Sequence, residues 1–167
     1  KQLANFDVKK LILVDQAESA LYDIQQDLKR SGKENIVTAI VADIRDGLRV
    51  DSFFQEYKPT MVFHAAAYKH VPLMEKSPYE AIKINVNGTK ILADTASRYD
   101  VKKFVFVSTD KAVNPTSVMG ATKRMAEMYI SCLQKESKTK FITTRFGNVL
   151  GSNGSVIPLF KKQIENG

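Results

Sequence analysis

Three side chains suited to acid–base and hydrogen-bond chemistry stand together after the apolar run 104–107: Thr109, Asp110 and Lys111. A carboxylic acid and an amine in one place can serve as general acid and general base when their pKa values lie near neutrality. Burial shifts both pKa values in that direction, because it disfavours the charged forms. The alternative interpretation is an ion pair between Asp110 and Lys111 in a surface loop.

A second candidate pair lies at the start of a predicted helix. Met119 and Lys123 are four residues apart, so they project from one face of that helix. Methionine has no proton to exchange; it can fill space or contact a ligand, and core packing explains it equally well. The helix itself is predicted from the spacing of Ala121, Met125, Met128 and Cys132.

Apolar runs that resemble strands alternate with helical segments along the whole sequence. The runs are continuously apolar, which is typical of a parallel sheet covered by helices on both faces. We therefore predict an α/β fold, a Rossmann-like doubly wound parallel sheet, with a ligand crevice at the carboxyl ends of its strands. The predicted strands are 11–14, 36–42, 61–67, 104–107 and 141–146.

The pattern lacks the usual opening of a dinucleotide-binding sheet. Such a sheet begins with a strand and a glycine-rich turn, after which a helix N-terminus holds the pyrophosphate. No such turn precedes Asp15, and residues 1–6 resemble the end of a helix. We therefore expect a fragment without its first strand: one NAD-binding domain over 1–167, with 147–167 leading into a substrate-binding region. A different topology is the alternative.

Candidate cofactor contacts end the predicted strands. Asp15 is suited to accept hydrogen bonds from a ribose diol, although an acidic residue here also caps helices. Asp43 and Ile44 follow the second strand, where an adenine would lie, and a cap or turn is again the alternative. Ser108 ends the fourth strand and is counted with them.

Small and polar residues lie near the middle of the predicted sheet. Ala65, Ala66 and Ala67 would let a flat cofactor approach the backbone closely, or would allow tight packing of helix on sheet. Asn85 lies in a long helix predicted from Pro78 and is counted among the cofactor contacts; it would also brace the active-site strand by hydrogen bonds to backbone. Gly88 in the same helix costs ~1 kcal/mol relative to alanine, which predicts close packing against the sheet there.

Six segments together resemble the extended short-chain dehydrogenase/reductases. More narrowly, they resemble the UDP-N-acetylglucosamine 4,6-dehydratases of bacterial capsule and flagellin-glycan biosynthesis. The similarity covers essentially the whole chain, and its most specific elements are Thr-Asp-Lys and Val-Met-Gly-Ala-Thr-Lys. The segments are 43–46, 64–72, 85–89, 108–112, 114–123 and 145–151.

The resemblance implies a lyase reaction with NAD, or alternatively NADP, as cofactor. The cofactor takes a hydride from carbon 4 of a UDP-sugar, a base removes the proton on carbon 5, water leaves from carbon 6, and the hydride returns there. Lys111 would be the base and Asp110 the acid. Thr109 would hydrogen-bond the oxygen on carbon 4.

The resemblance also assigns the helical pair. Lys123 would bind the nicotinamide ribose, and Met119 replaces the tyrosine that takes the carbon-4 hydroxyl proton in most relatives. Methionine at this position favours the dehydratase subgroup that carries it. The carbon-4 base is then either Lys123, acting through a water, or Asp110.

By the same resemblance, further residues contact the substrate. Lys69 and His70 would line the sugar pocket. Asn148, Ser152 and Asn153 would contact the diphosphate and sugar, since glycines in that loop free backbone N–H groups for phosphate oxygens. A surface turn is the alternative for the loop.

Composition excludes several other classes. The net charge of +7 comes from scattered lysines, without a nucleic-acid motif. The two histidines have no cysteine partners, so no metal site is expected, and a single cysteine excludes an internal disulfide. No apolar run reaches the ~20 residues of a spanning helix. We expect a cytoplasmic protein, or a full-length parent at the cytoplasmic face of the inner membrane.

Two other functions stay open on sequence grounds. A nucleotide-sugar 4-epimerase on the same fold would need hydride transfer without elimination, which would make the Asp110–Lys111 pair superfluous. A non-catalytic dinucleotide-binding domain gains support from Met119. By resemblance, a homo-oligomer would form through the helices near 78–98 and 118–133.

Overall fold

Parallel strands and helices alternate along the residues that the computed structural model describes, which are 1–147, 149, 160 and 163–165. The helix predicted from Pro158 lies mostly outside them. The strands are β1 Leu11–Asp15, β2 Val37–Val41, β3 Met61–His64, β4 Lys103–Thr109 and β5 Lys140–Phe146. The helices are α1 Glu18–Arg30, α2 Gly47–Tyr57, α3 Val71–Lys76, α4 Pro78–Ala81, a π-helical turn Ile82–Gly88, α5 Thr89–Arg98 and α6 Val118–Leu133.

The strands form two parallel sheets. β1 pairs with β2, from Leu11 opposite Val37 to Asp15 opposite Val41. The second sheet has the order β3-β4-β5, and Lys103 of β4 lies opposite both Met61 and Lys140. The predicted Rossmann-like α/β class is confirmed, because all the strand pairs are parallel and helices connect the strands along the described residues.

The core lies between the second sheet and helices α2, α5 and α6. Phe104 and Phe106 of β4 are fully buried at its centre, and Phe54 of α2 packs into the same cluster. Burying each such side chain contributes about 1.5–3 kcal/mol relative to leaving it exposed. The core therefore fixes β4, whose carboxyl end carries Thr109.

The helix predicted from Pro78 is interrupted by the π-helical turn Ile82–Gly88. Gly88 faces Ile44 in the loop after β2, and a Cβ on Gly88 would lie 2.7 Å from Ile44 Cδ1. Gly88 therefore packs closely, but against a loop residue and not against the sheet as predicted. Single π-helical turns inside helices are frequent at functional sites.

Two helical features differ from the sequence-based expectations. The six-residue helix α3 has no periodic apolar pattern and was not predicted. Helix α6 forms as predicted, but Met125, Met128 and Cys132 are exposed, so they do not mark its buried face. The face that is buried carries Met119, Gly120, Thr122, Lys123, Ala126, Glu127 and Ile130. Among the described residues, no helix has the length and apolarity needed to cross a membrane.

Candidate active site

The predicted catalytic residues Thr109, Asp110 and Lys111 share one short turn at the carboxyl end of β4. Thr109 Oγ1 donates to Asp110 Oδ1 at 2.9 Å and accepts from the backbone N–H of Lys111 at 3.3 Å. Lys111 Nζ donates to Asp110 Oδ1 at 3.1 Å. The two charged side chains are about half exposed, at 42% for Lys111 and 56% for Asp110.

This hydrogen-bonded pair determines the charge on the carboxyl group. Donation from Lys111, and then from Thr109, lowers the pKa of Asp110 below its ordinary value. Asp110 is therefore an ionised acceptor in this structure. A general-acid role requires that a bound substrate first draw Lys111 away, because protonation needs the favourable donor to be lost.

The turn is held against the first turn of α6. A Cβ on Gly120 would lie 2.3 Å from the carbonyl oxygen of Lys111, so glycine is required there. Ser117 Oγ accepts from Gly120 N–H at 3.1 Å, and Glu75 Oε1 accepts from Val118 N–H at 2.7 Å. These contacts satisfy donors at the helix start and fix the helix beside the candidate catalytic turn.

Met119 is buried in a small apolar cluster. It packs with Met74 of α3 and Ala81 of α4, and Tyr68 and Val71 lie against the same cluster. Its side chain is 3% exposed. The structure thus places Met119 as a packing residue between α6 and the segment after β3, as the alternative interpretation expected.

Lys123 is buried one turn further along α6. Its Nζ donates to the carbonyl oxygen of Val107 at 2.9 Å and lies 4.5 Å from the centre of the Phe106 ring. Burial lowers the pKa of Lys123 to about 8, and the negative charge of Glu127 opposes part of that shift. An amine with this pKa can exchange a proton near neutral pH.

A buried carboxylate that sequence reasoning missed lies behind these groups. Glu127 accepts from Arg145 Nε at 2.8 Å and Nη2 at 2.6 Å, and from Arg124 Nη1 at 3.2 Å. Burial would raise the pKa of Glu127, but the hydrogen bonds, first that of Arg145, outweigh it and lower the pKa to about 2. The available signal was its spacing of four residues from Lys123.

Ser108, predicted to contact the cofactor, points into the protein. Its side chain is buried on the same face of β4 as Phe106. The Oγ lies near the Glu127 carboxylate, but its geometry falls short of a hydrogen bond. Ser108 thus lies beneath the candidate site, and its predicted role stays a prediction.

The two aspartates predicted to contact a cofactor lie after β1 and β2. Asp15 is exposed, and its Oδ1 accepts from the backbone N–H of Ala17 at 2.9 Å. Asp43 accepts from the backbone N–H of Arg45 at 2.8 Å and from its guanidinium, which lowers the pKa of Asp43. Arg45 also pairs with Glu80 at 3.3 Å. Asp43 thus has a structural partner, whereas Asp15 presents its carboxylate to solvent.

The segment after β3 is largely exposed. Ala65 and Ala66 are exposed and Ala67 is half-buried, so tight helix–sheet packing does not account for the first two. Lys69 and His70 are exposed in the same segment. Ile44, by contrast, is buried against Gly88.

Asn85 connects this open segment to α6. Its Oδ1 accepts from Tyr68 N–H at 2.9 Å, and its Nδ2 donates to Tyr68 O at 3.1 Å and to Thr122 Oγ1 at 3.0 Å. Thr122 in turn donates to Met119 O at 2.8 Å. Asn85 therefore braces the loop after β3 and α6, not the active-site strand as expected, and its side chain is fully buried. Its predicted contact with the cofactor stays a prediction.

The same helix fixes the protonation of His64. Thr89 Oγ1 donates its one proton to Asn85 O at 2.7 Å, so it accepts from His64 Nε2 at 2.8 Å. Burial lowers the pKa of His64 to about 3. His64 is a neutral, structural donor at the end of β3.

Three predicted substrate residues, Asn148, Ser152 and Asn153, lie outside the residues that the structure describes. Within the described part of the chain, no cluster of three or more His, Cys, Asp or Glu side chains is arranged to hold a metal ion.

Similarity to known proteins agrees with this architecture. The model of a family described as polysaccharide biosynthesis protein matches residues 1–167. The chain belongs to this family. It is 52% identical over 169 residues to the capsular polysaccharide biosynthesis protein CapD of Staphylococcus aureus, covering 100% of this chain and 28% of that protein.

An inverting UDP-N-acetylglucosamine 4,6-dehydratase of Campylobacter jejuni is 35% identical over 168 residues, covering 99% of this chain and 48% of the enzyme. The chain therefore spans less than half the length of these relatives. The sequence-based resemblance to capsule-type short-chain dehydrogenase/reductases is confirmed.

Two solved structures share the fold. The X-ray structure of Pen from Bacillus thuringiensis has a TM-score of 0.90 and 36% identity, covering 98% of this chain and 50% of that chain. A UDP-glucose 4-epimerase of Thermus thermophilus, solved with NAD, has a TM-score of 0.69 and 27% identity, covering 85% of this chain and 56% of the epimerase.

Proposed function

We propose that the full-length protein dehydrates UDP-N-acetylglucosamine to a 4-keto-6-deoxy UDP-sugar for surface polysaccharide biosynthesis. The observation that carries the proposal is the Thr109–Asp110–Lys111 turn at the carboxyl end of β4, locked against Lys123's helix by Gly120. The relatives named for capsule biosynthesis and for UDP-N-acetylglucosamine dehydration support the substrate class.

The exposed residues at the strand ends fit a nicotinamide dinucleotide, for which we propose NAD. Asp15 offers a free carboxylate oxygen to a ribose diol, and exposed Ala65 and Ala66 leave the backbone open to a flat ring. Bound NAD supplies reversible hydride transfer. For Lys123, whose Nζ donates to the carbonyl oxygen of Val107, we propose hydrogen bonding to the nicotinamide ribose.

The chain's own residues then divide the elimination. Thr109 donates a hydrogen bond to the oxygen on carbon 4. Lys111, in its neutral form, takes the proton from carbon 5, and the electrons of that C–H bond form the double bond; the Lys111 ammonium returns the proton to carbon 5 when the hydride comes back to carbon 6. Asp110, once its bond to Lys111 is broken, takes up a proton from the carbon-4 hydroxyl or from solvent and gives it to the carbon-6 hydroxyl, which leaves as water. Lys123 through a water, or Asp110, takes the carbon-4 hydroxyl proton.

The test is conversion of UDP-N-acetylglucosamine by the full-length protein, followed by mass spectrometry. We expect a product lighter by one water and loss of that product in Lys111→Ala. Lys102→Ala, an exposed lysine just before β4 at the opposite end of the strand, is the matched control and should keep full turnover. Dehydration that survives in Lys111→Ala would exclude Lys111 as the base.

A UDP-sugar 4-epimerase is the second candidate. It is favoured by the lowered pKa of Asp110, because an ionised carboxylate cannot protonate a leaving hydroxyl. Epimerisation would give no mass change in the same assay. Binding of NAD and UDP-sugar without turnover would instead support a non-catalytic dinucleotide-binding domain.

We also propose that the protein acts as a homo-oligomer on the cytoplasmic side of the membrane. Met125 and Met128 of α6 are both more than half exposed, and large apolar side chains on one helix favour burial against a second copy. Sedimentation of the full-length protein tests this: Met128→Glu should lower the assembled fraction, and an unchanged fraction would contradict the use of this surface.

A further inference from the structure

Glu127 is a buried carboxylate that the proposed reaction does not use. It is 4% exposed, although acidic side chains are seldom buried unless they are paired. Its partner Arg145 donates a hydrogen bond to each carboxylate oxygen, at 2.8 and 2.6 Å. Such a two-point contact fixes orientation as well as charge.

The pair joins α6 to the strand that ends at the candidate site. Arg145 lies on β5 directly opposite Ser108 of β4, and Ser108 precedes Thr109. The Glu127–Arg145 pair therefore attaches α6 to β5 beside Ser108, just before the candidate catalytic turn. In the first turn of the same helix, Gly120 packs against the carbonyl oxygen of Lys111.

Glu127 also lies one helical turn after Lys123 on the buried face of α6. Residues four apart are neighbours on a helix surface. With Lys123 buried between the Phe106 ring and the Val107 carbonyl, Glu127 is the negative charge next to it on its own helix. A buried ammonium without such a neighbour would lose its proton more easily.

We propose that Glu127 is a positioning residue: paired with Arg145, it seats α6 on β4 and β5 and holds Lys123 in its protonated form. The inference rests on the proposed function only for the task that Lys123 performs. The electrostatic part of the proposal is the dependence of the Lys123 pKa on Glu127, which can be tested without substrate.

Other charged or titratable groups face this region and contribute to the electrostatic surroundings of Lys123. They are Arg124 on α6, Arg145 on β5, neutral His64 on β3, and the Asp110–Lys111 pair after β4. His64 adds no charge above pH 5, because its pKa is about 3. The positive charges of the two arginines should lower the pKa of Lys123, whereas the negative charge of Glu127 raises it. Removing an arginine and removing Glu127 should therefore shift that pKa in opposite directions.

The experiment follows the titration of Lys123 in the full-length protein by NMR with labelled lysine, assigned by Lys123→Arg, in the absence of cofactor and substrate. We expect Glu127→Gln to lower the pKa of Lys123 below the wild-type value of about 8. Glu127→Asp should restore part of it. Arg145→Gln should raise it, because it removes a cation and leaves the carboxylate less neutralised.

The opposite signs separate electrostatic positioning from mere packing. An unchanged Lys123 pKa in Glu127→Gln, or shifts of equal sign in Glu127→Gln and Arg145→Gln, would overturn the proposal. Glu136→Gln, an acidic residue beyond the end of α6, is the matched control and should leave the titration unchanged. Since no turnover is measured, failure here is distinguishable from failure of the dehydratase assignment.

In an active enzyme the same coupling appears in the pH profile. A group with a lowered pKa loses its proton at lower pH. Where charged Lys123 holds the nicotinamide ribose, the alkaline limb of kcat/KM should move to lower pH in Glu127→Gln. Where neutral Lys123 takes the carbon-4 proton through a water, the acid limb should move to lower pH instead. Each unit of movement corresponds to about a tenfold change in the charged-to-neutral ratio.

Discussion

The β3-β4-β5 sheet and the β1-β2 sheet present very different surroundings to the side chains at their carboxyl ends. Around β4, charged and polar groups are buried and held: Lys123, Glu127 and Asn85 all have assigned partners. After β1, Asp15 is exposed and bonded only locally. Packing around β4 fixes side-chain positions and shifts pKa values, whereas the end of β1 leaves the Asp15 carboxylate open to solvent.

Removing a core ring should give the largest difference between the two halves. Phe106 is fully buried and lies under Lys123, so Phe106→Ala should lower the free energy of unfolding by about 3–5 kcal/mol. Ile12→Ala in half-buried β1 is the comparison and should cost less. Urea denaturation measures both; equal losses would mean that the two sheets share one core to the same degree.

A methyl group at Gly120 should disturb the candidate site directly. Its Cβ would meet the Lys111 carbonyl at 2.3 Å, and overpacking against backbone costs roughly 1–3 kcal/mol. Gly120→Ala should therefore lower both thermal stability and turnover. Gly47→Ala, whose Cβ would meet only Ile91 at an ordinary 3.8 Å, is the control. Full activity in Gly120→Ala would show that the turn is not held by this contact.

Acid should weaken the β3-β4-β5 half through His64. Its folded-state pKa of about 3 lies below its unfolded value, so its contribution is complete above pH 6.5 and is lost as pH falls. Between pH 7 and pH 5 the loss should be about 2 kcal/mol, from 1.36 kcal/mol per pKa unit. The slope of unfolding free energy against pH should shrink in His64→Gln and persist in His70→Gln, which alters an exposed histidine.

A substitution at the exposed end of β1 should change the affinity for NAD rather than the free energy of unfolding. Asp15→Asn keeps an acceptor for the Ala17 N–H, so the free energy of unfolding should change by less than about 0.5 kcal/mol. NAD affinity of the full-length protein, measured by calorimetry, should fall. Unchanged affinity would leave Asp15 with only its turn-capping role.

Much of the fold followed from local patterns. Each of the five apolar runs contains a strand, although the third strand ends at His64 and not at Ala67. Gly88 indicated a close contact, which is made with Ile44 in a loop. Helix α3 was missed because six residues are too few to show a helical period. Helix α6 was predicted from the spacing of apolar residues, but Met125 and Met128 are exposed, because apolarity alone does not determine burial.

The residues of the candidate catalytic turn were named from the sequence, but the pairing of Glu127 with Arg145 behind it was not. Thr109, Asp110 and Lys111 are neighbours in sequence, so their shared turn could be expected. Glu127 could not be read from its type, since its partner Arg145 lies 18 residues away on another strand. Pairings between elements depend on tertiary packing, which no local pattern records.

The π-helical turn Ile82–Gly88 determines how far the residues before it, including α4, are rotated about the helix axis relative to α5. A π-helical turn accommodates one residue more than an α-helical turn. Shortening it by one residue would restore a regular helix and swing Asn85 by about 100° around the axis. The loop at Tyr68 and the helix of Thr122 would then lose their common anchor, so the length of this single turn keeps that loop and α6 in register.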